Sequence, residues 1–188
     1  QYQKASKRYQ RTSSTTSSTM GGIRQEWSQV DTGHRTEVPV DSVYSGVVSL
    51  TGVRIVTLLA ELNDMELWGT DIGNAYLESY TKEKVAFIAG PEFGDFNGHT
   101  FVILKAMYGL RSSGARWHDR LYDSLIGMGF TPCKSDPDIW MRACENHYEY
   151  IACYVDDLLI ASKKPQAIID ALMAKPNNYK LKGTGPVT

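Results

Sequence analysis

Apolar positions along this chain recur with two periods, and the switches between them mark out its elements. From Leu50, "LTGVRIVTLLAELNDMEL" sets Val53, Val56, Leu59, Ala60 and Leu62 at helical spacing, with Asn63 and Asp64 as a stop. "ELWGTDIGNAYL" follows as a strand ending near Asp71 and then a turn. "KVAFIAG" reads as a strand closed by Gly90 and Pro91, "GPEFGDFNGH" as a loop, and "TFVILKAM" as a further strand. In "YGLRSSGARWHDRLYDSLIGMGF", Trp117, Leu121, Leu125 and Met128 recur every three or four residues. Ser112 or Ser113 can cap that helix, and Gly127 and Gly129 end it. "DIWMRA" and "YEYIACY" flank "CENH" as a hairpin, and "LLIAS" pairs back onto "YIACY" across "VDD". "KPQAIIDALMAK" is an amphipathic helix with Pro165 in its first turn and Pro176 beyond its end. Strands early and late around a helix, without strict βαβα alternation, predict an α+β fold rather than a doubly wound sheet.

Before Leu50 the pattern is weaker. Short β-type pieces run from Ile23 to Ser49, "TEVPVDSVYSGVV" being the clearest. Residues 1–22 are rich in Ser and Thr, carry Lys4, Lys7, Arg8 and Arg11, and have almost no large aliphatic residues. That composition predicts a disordered basic tail on a domain spanning 23–188.

Composition narrows the function classes. With 42% apolar and 11% aromatic residues among 188, the chain can build a globular core. A net charge of −1 gives no general basic field, so any nucleic-acid groove must be local. The most apolar long region, Val47 to Trp68, carries Arg54, Glu61, Asp64 and Glu66 and cannot span a bilayer. Cys133, Cys144 and Cys153 form no CxxC pair and suit a reducing compartment. His34, His99, His118 and His147 show no zinc-ligand spacing with them.

The chemistry concentrates in "IACYVDDLLIA", where Asp156 and Asp157 interrupt an apolar stretch. Ionised carboxylates are costly there without a compensating cation. A Val-Asp-Asp tip also lacks the Gly or Asn that tight hairpins prefer, so turn chemistry alone does not account for it. An exposed acidic turn is the plain alternative. Asp71, at the end of another strand, changes the picture: two neighbouring strands ending in Asp can aim three carboxylates at one point. Such clusters hold hard divalent ions, and paired ions about 3.5–4 Å apart serve in-line phosphoryl displacement.

"TDIGNAYL", "AMYGLRSSGARW" and "YVDD", in this order, resemble the palm of Ty1/copia-type LTR retrotransposon reverse transcriptases, over a stretch from about Arg35 to the end. The resemblance implies a palm of antiparallel sheet and packed helices with partial fingers, and RNA-directed DNA polymerase activity. It implies two Mg²⁺ ions, with Mn²⁺ able to substitute, on Asp71, Asp156 and Asp157. Ile72 would lend its carbonyl, and Ala75 and Tyr76 would floor the incoming sugar, Tyr76 crowding a 2′-hydroxyl. Arg111 and Ser112 would lie by the nucleotide, and Tyr154 and Val155 by the primer end. Ser112 stands where copia-type enzymes commonly carry Gln, which leaves its nucleotide contact open.

Lys82, Lys84 or Arg54 would face phosphates unless they are simply solvated. Arg111, Arg116 and Arg120 form either a phosphate-facing row or an exposed helix face. Trp117 and Cys153 are expected in the core. Implied partners are a primed RNA or DNA template, deoxynucleoside triphosphates and the other Pol domains, with integrase upstream and thumb and RNase H downstream. The implied location is intracellular, in a cytoplasmic virus-like particle or the nucleus, with no membrane. Nothing in "KLKGTGPVT" corresponds to a thumb, so the resemblance also admits a truncated remnant that keeps the fold without extending a primer. An unrelated Mg²⁺-dependent phosphotransferase would leave "AMYGLR" unexplained.

Overall fold

The computed structural model describes residues 43, 45–83 and 85–187. The expected tail, the β-type pieces before residue 43, and Lys84 lie outside them. The chain divides into two compact units. One includes Val85–Val102, and the other includes the described residues up to Glu83 together with Ile103 onward.

The larger unit is built on one six-stranded antiparallel sheet. In chain order its elements are helix α1 (Leu50–Leu62), β1 (Glu66–Ile72), a 3₁₀ turn (Ala75–Glu78), α2 (Ser113–Gly127), β4 (Thr131–Pro132), β5 (Ile139–Ala143), β6 (Tyr148–Tyr154), β7 (Asp157–Ser162), α3 (Pro165–Met173) and β8 (Leu181–Pro186). The strand order is β4-β5-β6-β7-β1-β8. Alternation along the central strands gives the sheet two apolar faces. Ile151, Cys153, Leu158 and Ile160 point to one, and pack with Trp117, Leu121 and Leu125 of α2 and Ile168, Ile169 and Leu172 of α3. Ala152 and Ala161 point to the other, and pack with Val56 and Ala60 of α1. Each fully buried Leu or Ile contributes about 1.5–3 kcal/mol, so the three helices are held chiefly by these stripes.

The α1 stripe is narrower than its spacing predicts. Ser49 caps the helix by accepting from Gly52 N–H at 3.0 Å. Only Gly52, Val56 and Ala60 are buried, an i, i+4 line, and Leu62 is 69% exposed. Gly52 marks a close approach: a Cβ there would meet the side-chain ends of Asp136 (Oδ2) and Ile139 (Cδ1), each at 2.8 Å, and would displace them. Helix α2 follows its predicted stripe, with Met128 half-buried and Gly129 turning the chain at φ +85°. Its predicted cap is different. Ser112 makes no capping bond; its hydroxyl and N–H both donate to Glu83 Oε1, while Ser113 Oγ donates to Met107 O at 2.6 Å.

The smaller unit pairs β2 (Ala86–Ile88) with β3 (Thr100–Val102) around a 3₁₀ stretch (Pro91–Phe96). Phe101 gathers Phe87, Phe93 and Phe96, with ring centroids 5.6–6.0 Å apart. The strand expected over "TFVILKAM" is therefore short. Beyond Val102 the backbone pairs irregularly with the segment after the 3₁₀ turn, through Thr81 N–H to Leu104 O and Ala106 N–H to Ser79 O, each at 3.0 Å. No helix among the described residues is long and apolar enough to cross a membrane.

Candidate active site

Strands β6 and β7 form a hairpin whose last register pair is Tyr154 with Asp157, leaving Val155 and Asp156 as its two-residue tip. Val155 takes φ +57°, a left-handed conformation that is uncommon for a β-branched residue and costs on the order of 1–3 kcal/mol. Two bonds hold this turn in place. The buried Trp117 indole donates to Val155 O at 2.7 Å, and Ile72 N–H donates to Asp156 O at 2.8 Å. The helix stripe and the end of β1 thus fix the conformation of the acidic tip.

Strand β1 lies against β7 with Asp71 opposite Asp157. Residues directly opposed in an antiparallel pair share a face, with Cβ atoms about 4.5–5.5 Å apart. The structure therefore brings Asp71, Asp156 and Asp157 to one end of the sheet. Burial, then the charges of Asp156 and Asp71, push the Asp157 carboxyl above its ordinary range. Asp71 Oδ1 is buried and has no hydrogen-bond partner. None of the three carboxylates takes part in a salt bridge among the described residues. The three form an acceptor-rich end of the sheet with no salt-bridge partner among those residues, and carboxylate oxygens are the donor type that suits a hard divalent cation.

Strand β8, absent from the sequence reading, supplies a residue that reading missed. Asp71 is the register partner of Lys182 on its other side. The Lys182 chain crosses over Gly73, where a Cβ would sit 3.0 Å from its Cε and 3.2 Å from Lys180 O. Gly73 N–H donates to Lys180 O at 2.8 Å, tying this strand to the site. A signal was present: "YKLKGTG" alternates apolar and basic residues before its glycines.

The remaining candidates fall into three groups. Ala75 is buried beside the acidic end, and Tyr76 is half-buried with its ring edge-on to Tyr108 at 4.6 Å. Burial, then Tyr108 and Asp156, raise the Tyr76 phenol above its usual range. Tyr154 is exposed at the hairpin tip. The second group is spread out. Arg111, Lys82 and Arg54 are exposed, and Ser112 is buried against Glu83. The third is committed elsewhere. Arg116 pairs with Asp119 at 3.1 Å, and Arg120 donates to Asn177 O at 3.1 Å and lies over the Tyr179 ring. Helix α2 therefore does not carry a free row of three arginines.

Residues 23–188 match the family described as Reverse transcriptase (RNA-dependent DNA polymerase). The chain belongs to that family. Its relatives place it on the copia side. The Retrovirus-related Pol polyprotein from transposon TNT 1-94 of Nicotiana tabacum is 26% identical over 153 residues, which is 79% of this chain and 11% of that protein. The corresponding polyprotein from transposon RE1 of Arabidopsis thaliana is 27% identical over 141 residues, 74% of this chain and 10% of the relative. A transposon Ty5-1 protein of Saccharomyces cerevisiae is 27% identical over 119 residues, 62% of this chain and 39% of that protein. This reverse transcriptase segment thus spans about a tenth of the plant polyproteins it matches.

Proposed function

We propose that the larger unit is the palm of a copia-type RNA-directed DNA polymerase and that Asp71, Asp156 and Asp157 are its metal ligands. The observation that carries this reading is the register of Asp71 opposite Asp157, together with a buried Asp71 oxygen that has no hydrogen-bond partner. The donor set fits Mg²⁺, a hard ion that binds through one or two carboxylates plus substrate phosphates. When bound, a pair of such ions neutralises the charge that develops as a primer 3′-hydroxyl attacks the α-phosphate of a deoxynucleotide and pyrophosphate leaves.

The chain's own residues do the positioning. The bonds from Trp117 and Ile72 hold the Val155–Asp156 tip rigid, so Asp156 and Asp157 keep one geometry against Asp71. Tyr76, braced by Tyr108, floors the sugar site and excludes a 2′-hydroxyl by bulk. Tyr154 and Val155 meet the primer end. Lys182, the register partner of Asp71, sets a positive charge beside the carboxylates. Template contact is to backbone and stacked bases, without sequence readout.

The test is primer extension on an RNA template together with Mg²⁺-dependent deoxynucleotide binding, for the parent chain and Asp156→Asn. The reading expects nucleotide binding that requires Mg²⁺ and is lost in the variant, with any extension lost as well. Extension that survives Asp156→Asn, or a parent chain that binds no nucleotide in the presence of Mg²⁺, overturns it.

A further inference from the structure

A second group of ligand-type side chains lies at the other end of strand β6, away from the acidic tip. The β5–β6 hairpin turns through Cys144, Glu145, Asn146 and His147, closed by Cys144 N–H donating to His147 O at 2.8 Å. Arg142 is the register partner of Glu149. Strand alternation then puts Cys144 on the face of Arg142, and His147 on the face of Glu149. One ligand atom from each of Cys144, His147 and Glu149 lies within 4.8 Å of the others. The linear sequence hides this, because the carboxylate that completes the set sits two residues past the histidine, on the returning strand.

The His147 ring distinguishes this cluster from an ordinary polar turn. Its Nδ1 faces Asn146 Oδ1 at 3.0 Å, and donates to it in the tautomer that carries the proton on Nδ1. The bare lone pair is then on Nε2, which is buried and has no hydrogen-bond partner. An imidazole with one nitrogen facing an oxygen acceptor and the other buried without a partner, in a cluster with a thiol and a carboxylate, is the arrangement in which histidine ligates metals. Glu149 is oriented by partners of its own, the Arg142 guanidinium at 2.6 Å and the Ser162 hydroxyl.

We propose that Cys144, His147 and Glu149 form a Zn²⁺ site that staples the β5–β6 hairpin and is separate from the carboxylates at the opposite end of the strand. Thiolate and imidazole select a borderline-soft ion over Mg²⁺. Cys144 and His147 are half-buried, which leaves a fourth position for water. Binding converts the Cys144 thiol to thiolate and releases its proton to solvent. Closing the ligands onto Zn²⁺, about 2.0–2.3 Å from each, draws the turn inward.

The experiment titrates the full chain with Zn²⁺ and, as an optical probe, with Co²⁺ in the presence of excess Mg²⁺. The proposal expects one equivalent per chain, a thiolate-to-cobalt absorption band, and loss of both in Cys144→Ser and in His147→Ala. Cys133→Ser and Asp71→Asn keep them. Zn²⁺ also protects Cys144 of the parent chain from alkylation while Cys133 stays reactive, a readout by peptide mass that needs no variant. A band that survives Cys144→Ser, Zn²⁺ uptake lost in Asp71→Asn instead, or Cys144 alkylated at the same rate with and without Zn²⁺ overturns it.

Discussion

Two sets of carboxylates on the central sheet of this reverse transcriptase segment have opposite surroundings. Glu149 is buried in β6 and meets donors from the chain: Arg142 donates from Nε at 3.0 Å and from a terminal nitrogen at 2.6 Å, and Ser162 donates to its other oxygen. Burial alone would push this carboxyl up, but the Ser162 and Arg142 bonds outweigh it and hold it below its ordinary range. Asp157, at the far end of β7, is pushed the other way by burial and by Asp156 and Asp71, with no cation bonded to it. A carboxylate tied to an arginine and a hydroxyl of its own chain holds neighbouring strands together. A group of carboxylates left to repel one another costs stability in the free protein, a cost that an external cation would relieve.

Breaking the satisfied set produces the largest loss. Glu149→Ala strands Arg142, only 28% exposed, and Ser162, which is fully buried. Truncating one partner of such a pair costs about 3 kcal/mol, read as a lower urea midpoint at unchanged slope. Because the folded Glu149 carboxyl lies below its unfolded value, its stabilisation is present above the unfolded value and fades as pH falls through the folded one. The gap between parent and variant therefore narrows in acid.

The support of the acidic tip comes next. Trp117→Phe leaves Val155 O without its buried donor and frees a strained turn, at a cost of about 1–3 kcal/mol. The same variant is expected to weaken divalent-ion binding, although Trp117 touches no ligand, because the tip loses its fixed conformation. Equal ion binding by parent and variant would show that the turn needs no such brace.

Asp157→Asn gives the smallest effect, and its sign is opposite. The folded carboxyl is raised, so its ionised form is disfavoured in the native state. That cost is present above the folded value and disappears as pH falls through it. The metal-free variant is therefore at least as stable as the parent at pH 7, and acidification closes the difference. A clear loss of melting temperature in Asp157→Asn at pH 7 would mean that the carboxylate has a donor in the free protein.

The two carboxylate sets were also unequally legible from sequence. Asp71, Asp156 and Asp157 stand out as charges at the ends of apolar runs, because a strand's period of two carries a terminal residue to a known place. The α2 stripe was readable for the same reason, since Trp117, Leu121 and Leu125 must share a face. What periodicity cannot give is pairing across the sheet. Strand β8 was missed because Gly183 and Gly185 dilute its pattern, and Lys182 was missed with it. The narrow contact line of α1 was hidden because Gly52, a residue without a side chain, marks its closest approach. Ser112 read as a cap, but a carboxylate distant in sequence, Glu83, captured its hydroxyl. Spacing left the three arginines as either a phosphate-facing row or an exposed helix face; Arg111 is exposed, whereas Arg116 is held by Asp119 and Arg120 by Asn177 O.

On the function proposed above, the acidic end is incomplete without a divalent cation. That claim is tested most directly by thermal unfolding of the parent chain and Asp71→Asn with and without Mg²⁺ at pH 7. An ion that binds only the folded state adds about 1.4 kcal/mol at ten times its Kd, which for a chain of this size is a rise of about 3–6 °C. The account predicts that rise in the parent and little or none in Asp71→Asn. An equal rise in both proteins, or none in the parent at saturating Mg²⁺, would contradict it.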